Sequence, residues 1–244
     1  MKSSLNHLNT SGNSYFFHDR AQHHACAWPQ PQQDRRAWRL GGIKSPPMSE
    51  SVLNLANHFL IAMPQLEDEF FARSVVYVCE HNERGALGLV INKPGSLSFK
   101  ALLEKIELPM GRADLADQPI FRGGPVQTDR GFVLHDPVVL DPPHAEEAVY
   151  ASTLTIPGGL EMTTSKDILE AVAHGAGPRR VLVTLGYAAW GEGQLESELR
   201  ENAWMTVAAK SDIIFNIAPE DRYAAALQEL GLQPWMLHTE AGNA

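Results

Sequence analysis

The stretch that most constrains the fold is residues 73–94, RSVVYVCEHNERGALGLVINKP. Two apolar runs, 74–79 and 86–91, flank the polar segment Glu80-His81-Asn82-Glu83-Arg84-Gly85. Val75, Val76, Tyr77 and Val78 favour a strand, because β-branched and aromatic side chains pack well on a pleated surface. Asn82 and Gly85 tolerate positive φ and supply the turn. The pattern predicts a β-hairpin with a loop of about four to six residues. Pro94, which has no N–H to give to a ladder, is expected to stop the second strand.

The 244 residues suffice for one large domain or two small ones. Residues 1–47 differ from the rest: rich in Asn, Gln, His, Ser and Arg, without apolar period, they predict a disordered or mis-assigned N-terminal extension. Residues 48–244 predict a single domain that opens at Met48-Ser49-Glu50. The formal net charge is −9. The extension holds six Lys/Arg and two Asp/Glu, so the remainder carries 14 basic and 27 acidic residues. Such an acidic domain argues against direct DNA binding, which requires phosphate-neutralising cations. Two cysteines are too few for a disulfide framework, and a reduced, cytoplasmic setting is expected. No apolar run approaches the roughly 20 residues of a membrane helix, and no secretory signal is visible.

Along the chain, 59–63 reads as a strand and 65–72 as an acidic loop anchored by Phe70 or Phe71. Residues 95–109 predict a helix capped by Ser96 or Ser98, with Leu102, Leu103 and Ile106 at helical spacing. Strands at 120–121 and 131–135 suggest a second hairpin. Residues 151–156 and 160–164 suggest a third, around Pro157-Gly158, a type II turn signal. A helix over 166–174, capped by Thr164 or Ser165, precedes an apolar strand at 180–185 and a connection at 186–191. A helix over 194–202 presents Leu195 and Leu199 inward and Glu192, Glu196, Glu198 and Glu201 to water. Short strands at 204–208 and 213–215 and a helix over 220–230 complete the chain. The irregular alternation of hairpins and helices predicts an α+β domain whose mostly antiparallel sheet curls into a partial barrel.

The segments HFLIAMP, RSVVYVCEHNERGALGLVINKP, FRGGPV, SKDILEAVAHGAGP and VTLGYAAWGEGQLESELRENAW resemble the YqgE/AlgH proteins of bacteria. The resemblance spans residues 57–237 and departs at Glu69, where proline is usual. It implies a bifurcated sheet bent into a pseudo-barrel with flanking helices. It brings no catalytic residues, since the family is largely uncharacterised; its members are often labelled transcriptional regulators, from a proposed link to alginate production.

Cys79 and His81, two apart on a strand, are expected on one face, with Glu80 on the other. A thiol beside an imidazole is a nucleophile–base pair in principle, but a third orienting group is missing. The better binding candidates are Asn92-Lys93 and Arg122-Gly123-Gly124, where a Gly-Gly bend can offer backbone N–H groups to an anion. Glu80 is expected to pair with a basic residue such as Lys93 or Arg122. No metal-ligand spacing, phosphate loop or dinucleotide fingerprint is present, so no metal or cofactor is expected. The leading expectation is a non-enzymatic binding or regulatory module for an unidentified protein partner or small anionic ligand. A direct DNA-binding regulator is the second reading. An enzyme acting on a small anion is the third, and it requires His81, Lys93 and Arg122 to converge.

Overall fold

The continuous apolar runs of this chain become strands buried on both faces, the arrangement in which alternation disappears. A computed structural model describes residues 54–138 and 149–237. The predicted extension at 1–47 lies outside the described residues, as do residues 139–148. The strands are β1 His58–Ala62, β2 Val75–Asn82, β3 Gly85–Val90, β4 Pro94–Ser98, β5 Pro119–Arg122, β6 Val126–His135, β7 Thr153–Ile156, β8 Leu160–Thr163, β9 Val181–Gly191 and β10 Trp204–Ala208. The helices are α1 Phe99–Lys105, α2 Asp167–Ala173, α3 Gln194–Arg200, α4 Ser211–Phe215 and α5 Arg222–Gln228.

The strands pair in the order β10-β1-β2-β3-β9-β6-β8-β7, with β4 and β5 on a branch. The branch point is β9. Its C-terminal half pairs antiparallel with β3, from Gly88↔Ala188 to Gly85↔Gly191. Its N-terminal half lies between β6, antiparallel, and β5, the parallel neighbour. This is the expected mostly antiparallel, bifurcated sheet curled into a half-barrel with flanking helices. Along β1, Phe59 and Ile61 enter the core beneath α4 and α5, while Leu60 and Ala62 enter the one beneath α3. In β2, Tyr77 and Val78 divide in the same way. A third core packs α1 and α2 against Val133 of β6 and Val181 and Val183 of β9.

The first hairpin is tighter than expected. Its strands reach Asn82 and Gly85, leaving only Glu83-Arg84 at the tip. Asn82 Oδ1 accepts from Arg84 N at 2.9 Å, closing the turn. A bulge interrupts β2: the register passes from Val78↔Gly88 to Glu80↔Leu87, leaving Cys79 as the extra residue. The bulge corrects the expectation that Cys79 and His81 share a face. Cys79 packs with Phe59, Tyr77 and Leu89 under α5, whereas Ala86, paired with His81, belongs to the core beneath α3.

Other expectations need correction for identifiable reasons. Pro94 opens β4, an edge strand where a missing N–H is tolerated, and the helix starts only after it. Ser98 caps that helix, accepting from Ala101 N at 3.2 Å. β5 and β6 form no hairpin; β9 lies between them. Residues 186–191 continue β9 rather than forming a connection. Residues 213–215 lie in α4, not in a strand, because so short an apolar run carries no readable period. Neither Thr164 nor Ser165 caps α2, which has no side-chain cap. The Pro157-Gly158 turn stands as expected, with Gly158 at φ 99° and Gly159 N donating to Ile156 O at 3.1 Å.

Candidate functional site

Pairing of β4 with β5 brings two of the expected binding residues together. Arg122 N donates to Lys93 O at 2.9 Å. The Lys93 ammonium donates to Phe70 O and sits 5.9 Å from the centroid of the Phe70 ring, while the Arg122 guanidinium lies 5.1 Å from it. Burial and the neighbouring Arg122 charge lower the Lys93 pKa, and Asp68 opposes them. Two cations thus share one aromatic ring, each contact contributing about 0.5–1 kcal/mol.

The remaining candidates have local structural work. Gly123 N donates to Leu185 O at 2.8 Å, so that group is turned into the sheet rather than toward an anion. Neither Gly123 nor Gly124 has positive φ; both are small because the backbone of β9 crosses them. A Cβ on Gly123 would lie 2.2 Å from Gly186 O, and one on Gly124 1.8 Å from the Tyr187 carbonyl carbon. Asn92 stitches the base of the hairpin: its Oδ1 accepts from Val75 N at 2.8 Å and its Nδ2 donates to Arg73 O at 2.9 Å. Glu80 accepts from Asn82 Nδ2 at 2.7 Å instead of pairing with Lys93 or Arg122.

His81 is 4 % exposed. Its Nδ1 accepts from Leu55 N at 3.0 Å, which leaves the ring proton on Nε2, 2.8 Å from Glu196 Oε1. His81 pairs with Ala86 at the N-terminal end of β3, and Lys93 follows the C-terminal end. At about 3.3 Å per residue the two lie roughly 20 Å apart. The trio His81, Lys93 and Arg122 does not converge. Burial raises the Cys79 thiol pKa, the opposite of nucleophile activation. Among the described residues no group of three or more His, Cys, Asp or Glu is arranged to hold a metal ion.

Two arrangements were not foreseen. Glu198, expected in water, receives the indole N–H of Trp190 at 2.9 Å and of Trp204 at 2.8 Å, both on Oε2. Gln194 Nε2 donates to its Oε1 at 2.9 Å, and Gln194 Oε1 in turn accepts from Gly191 N at 3.0 Å. The carboxylate clasps β9 to β10 from α3. Buried indoles require acceptors, which was the available signal.

The second is a cleft of about 340 Å³ between β5, β9 and the α4–α5 connection. Phe121, Leu182, Ile214, Phe215 and Pro219 give it apolar walls. Arg222, 5 % exposed, lines it. Arg222 Nε donates to Ile217 O at 3.0 Å and Nη1 to Ile91 O, while the guanidinium stacks 4.9 Å from the Phe121 centroid. Burial pushes the Arg222 pKa down to about 10, against a raising influence from exposed Glu220. Arg222 occupies the apolar stripe of α5, one turn before Ala226 and beside Tyr223. A cation in a stripe position was the sign that the spacing offered.

Residues 59–235 match the AlgH-like family. The chain is 66 % identical over 192 residues to a UPF0301 protein of Delftia acidovorans, covering 79 % of this chain and 96 % of that one. It is 64 % identical over 198 residues to a UPF0301 protein of Albidiferax ferrireducens, covering 81 % of this chain and all of the relative. Its fold superposes with TM-score 0.62 on the solution structure of the AlgH protein from Pseudomonas aeruginosa. That protein is 46 % identical, and the match covers 82 % of this chain and 99 % of that one. With the family's sequence span, its relatives' full length and its fold all matched, the chain belongs to the AlgH-like family.

Proposed function

We propose that the domain is a non-enzymatic binding module for a small anionic ligand. The observation that carries this reading is Arg222: a buried cation faces an open cleft, and among the described residues no carboxylate lies within ion-pair distance of it. A buried charge is costly to leave uncompensated, so a cleft built around one favours an anion. The dispersal of Cys79, His81 and Lys93 supports binding over catalysis, because general acid–base and nucleophilic steps need groups within hydrogen-bond reach. The acidic balance of residues 48–244 supports a small anion over a nucleic acid as its target. A reducing, cytoplasmic setting accords with the free buried thiol of Cys79. No described helix is long and apolar enough to cross a membrane.

The test is thermal unfolding of the dialysed chain against sodium phosphate, sulfate, acetate and benzoate, beside fluorescence anisotropy with labelled duplex DNA. At least one anion should raise Tm saturably, since a ligand at 100 times its Kd adds about 2.7 kcal/mol. DNA binding should vanish at physiological salt. A flat response to every anion would overturn the reading, as would salt-resistant, sequence-dependent DNA binding.

A further inference from the structure

We propose that the Arg222 cleft binds a small monocarboxylic acid with an apolar body, its carboxylate on the Arg222 guanidinium and its body against Phe121, Ile214 and Phe215. This rests on the binding-module reading and gives it a site and a ligand class. The cleft, at about 340 Å³, falls at the small end of the range for ligand pockets. Its lining is mainly apolar, with one buried cation and the amides of Gln118 and Asn216 at exposed positions.

Arg222 is held in place before any ligand arrives. Two of its nitrogens are committed to the carbonyls of Ile217 and Ile91, and one of its faces is covered by Phe121. Nη2 has no partner among the described residues. A single preorganised guanidinium edge in an apolar cleft matches one carboxylate, whose charge it neutralises one for one. A phosphate dianion would bring a second charge and further acceptor oxygens, for which the lining holds no second cation. An apolar body is favoured because the walls offer area to bury and few hydrogen-bonding groups to satisfy.

The experiment uses the full chain, ¹⁵N-labelled, titrated separately with sodium benzoate, benzylamine and inorganic phosphate at constant ionic strength. Benzoate should bind saturably and shift the amides of Phe121, Ile214 and Arg222. Benzylamine should not bind, and phosphate should bind at least tenfold more weakly than benzoate. R222M should lower benzoate affinity tenfold or more. Because Arg222 also ties down two carbonyls, A218W provides an independent arm. Ala218 is an exposed position on the cleft, so the indole obstructs the opening without entering a core. It should abolish benzoate binding with an unchanged Tm. Benzoate binding equally well to A218W, or benzylamine matching benzoate, would overturn the proposal. Phosphate binding more tightly than benzoate would overturn the ligand class and leave the binding-module reading standing. Absence of binding by every anion would overturn both.

Discussion

Glu198→Ala removes the acceptor shared by two buried indoles. In the native structure Oε2 takes Trp190 Nε1 at 2.9 Å and Trp204 Nε1 at 2.8 Å. Both rings are buried, and they meet edge to face with centroids 6.0 Å apart. Hydrogen bonds to a charged partner contribute about 1.5–3 kcal/mol each. Glu198 is itself only half-buried, so water reaches part of the gap and recovers some of the loss. The expected cost is about 2–4 kcal/mol. For a domain of this size that lowers Tm by roughly 5–15 °C. Glu198→Gln keeps an oxygen that can accept from both indoles but turns its amide nitrogen toward the Gln194 Nε2 donor, and should cost about 1–2 kcal/mol, less than Glu198→Ala. Trp204→Phe keeps an aromatic ring and removes one donor. Urea titrations read by indole emission and near-UV circular dichroism measure each variant, and E198A/W204F closes a double-mutant cycle. Coupling of about 1–2 kcal/mol is expected. Strict additivity, or an E198A cost below about 0.5 kcal/mol, would refute the claim that this carboxylate joins β9 to β10.

Three further outcomes follow from the geometry. Gly124→Ala should destabilise by about 3 kcal/mol, since its Cβ meets the Tyr187 carbonyl carbon at 1.8 Å, whereas Gly159→Ala, with open space but φ 92°, should cost about 1 kcal/mol; denaturant midpoints compare them directly. Asn92→Ala should cost about 1–3 kcal/mol by orphaning the buried Val75 N–H, seen as faster hydrogen exchange at that amide, and unaltered exchange would exclude the stitch. His135 is fully buried, with Nδ1 donating to Asp136 O at 2.7 Å and Nε2 accepting from Thr163 at 2.9 Å. Burial lowers its pKa against the opposing influences of Asp136 and Glu161. The unfolded chain therefore binds the proton more readily than the native one, and stability is full above the ordinary histidine value of 6.5 and falls as pH drops below it. His135→Asn should flatten that part of the stability–pH curve, and an unchanged slope would remove His135 as its source.

The sequence was most informative where a strand is buried on both faces. The runs in β1, β2 and the first half of β9 are continuous because each face has its own core, and such runs read directly as strands. It was least informative where a residue type answers to a distant neighbour. Gly186 looks like a turn in isolation, yet it lets the second half of β9 pass the backbone of Gly124, whose carbonyl a Cβ would approach to 2.5 Å. Cys79 and His81 appear to share a face until one inserted residue turns them apart. Lys93 and Arg122 were legible as a pair of cations, although the ring that joins them, Phe70, was expected only as an anchor for its loop. Phe70 and Phe71 both pack on the core beneath α3, as expected of that loop, with Phe71 against Trp190 and Trp204. Glu198 and Arg222 escaped because helical periodicity reports which side faces inward, and not what a polar group meets there.

The position of β9 sets an order of events during synthesis. The first hairpin leaves the ribosome with the outer edge of β3 unpaired, and its partner on β9 is encoded about a hundred residues later. β1 waits longer still for β10, where His58 meets Ala208. The sheet therefore cannot close until nearly the whole domain has emerged. Folding is dominated by contacts between distant parts of the chain, and loop-closure entropy makes such topologies slow. Until β9 arrives, the nascent chain carries an open strand edge beside the apolar Val75–Val78 run, a template for pairing with other chains. A polypeptide of this topology depends on late, near-complete synthesis for its protection against aggregation, and truncation before Val181, which deletes β9, leaves the outer edge of β3 unpaired.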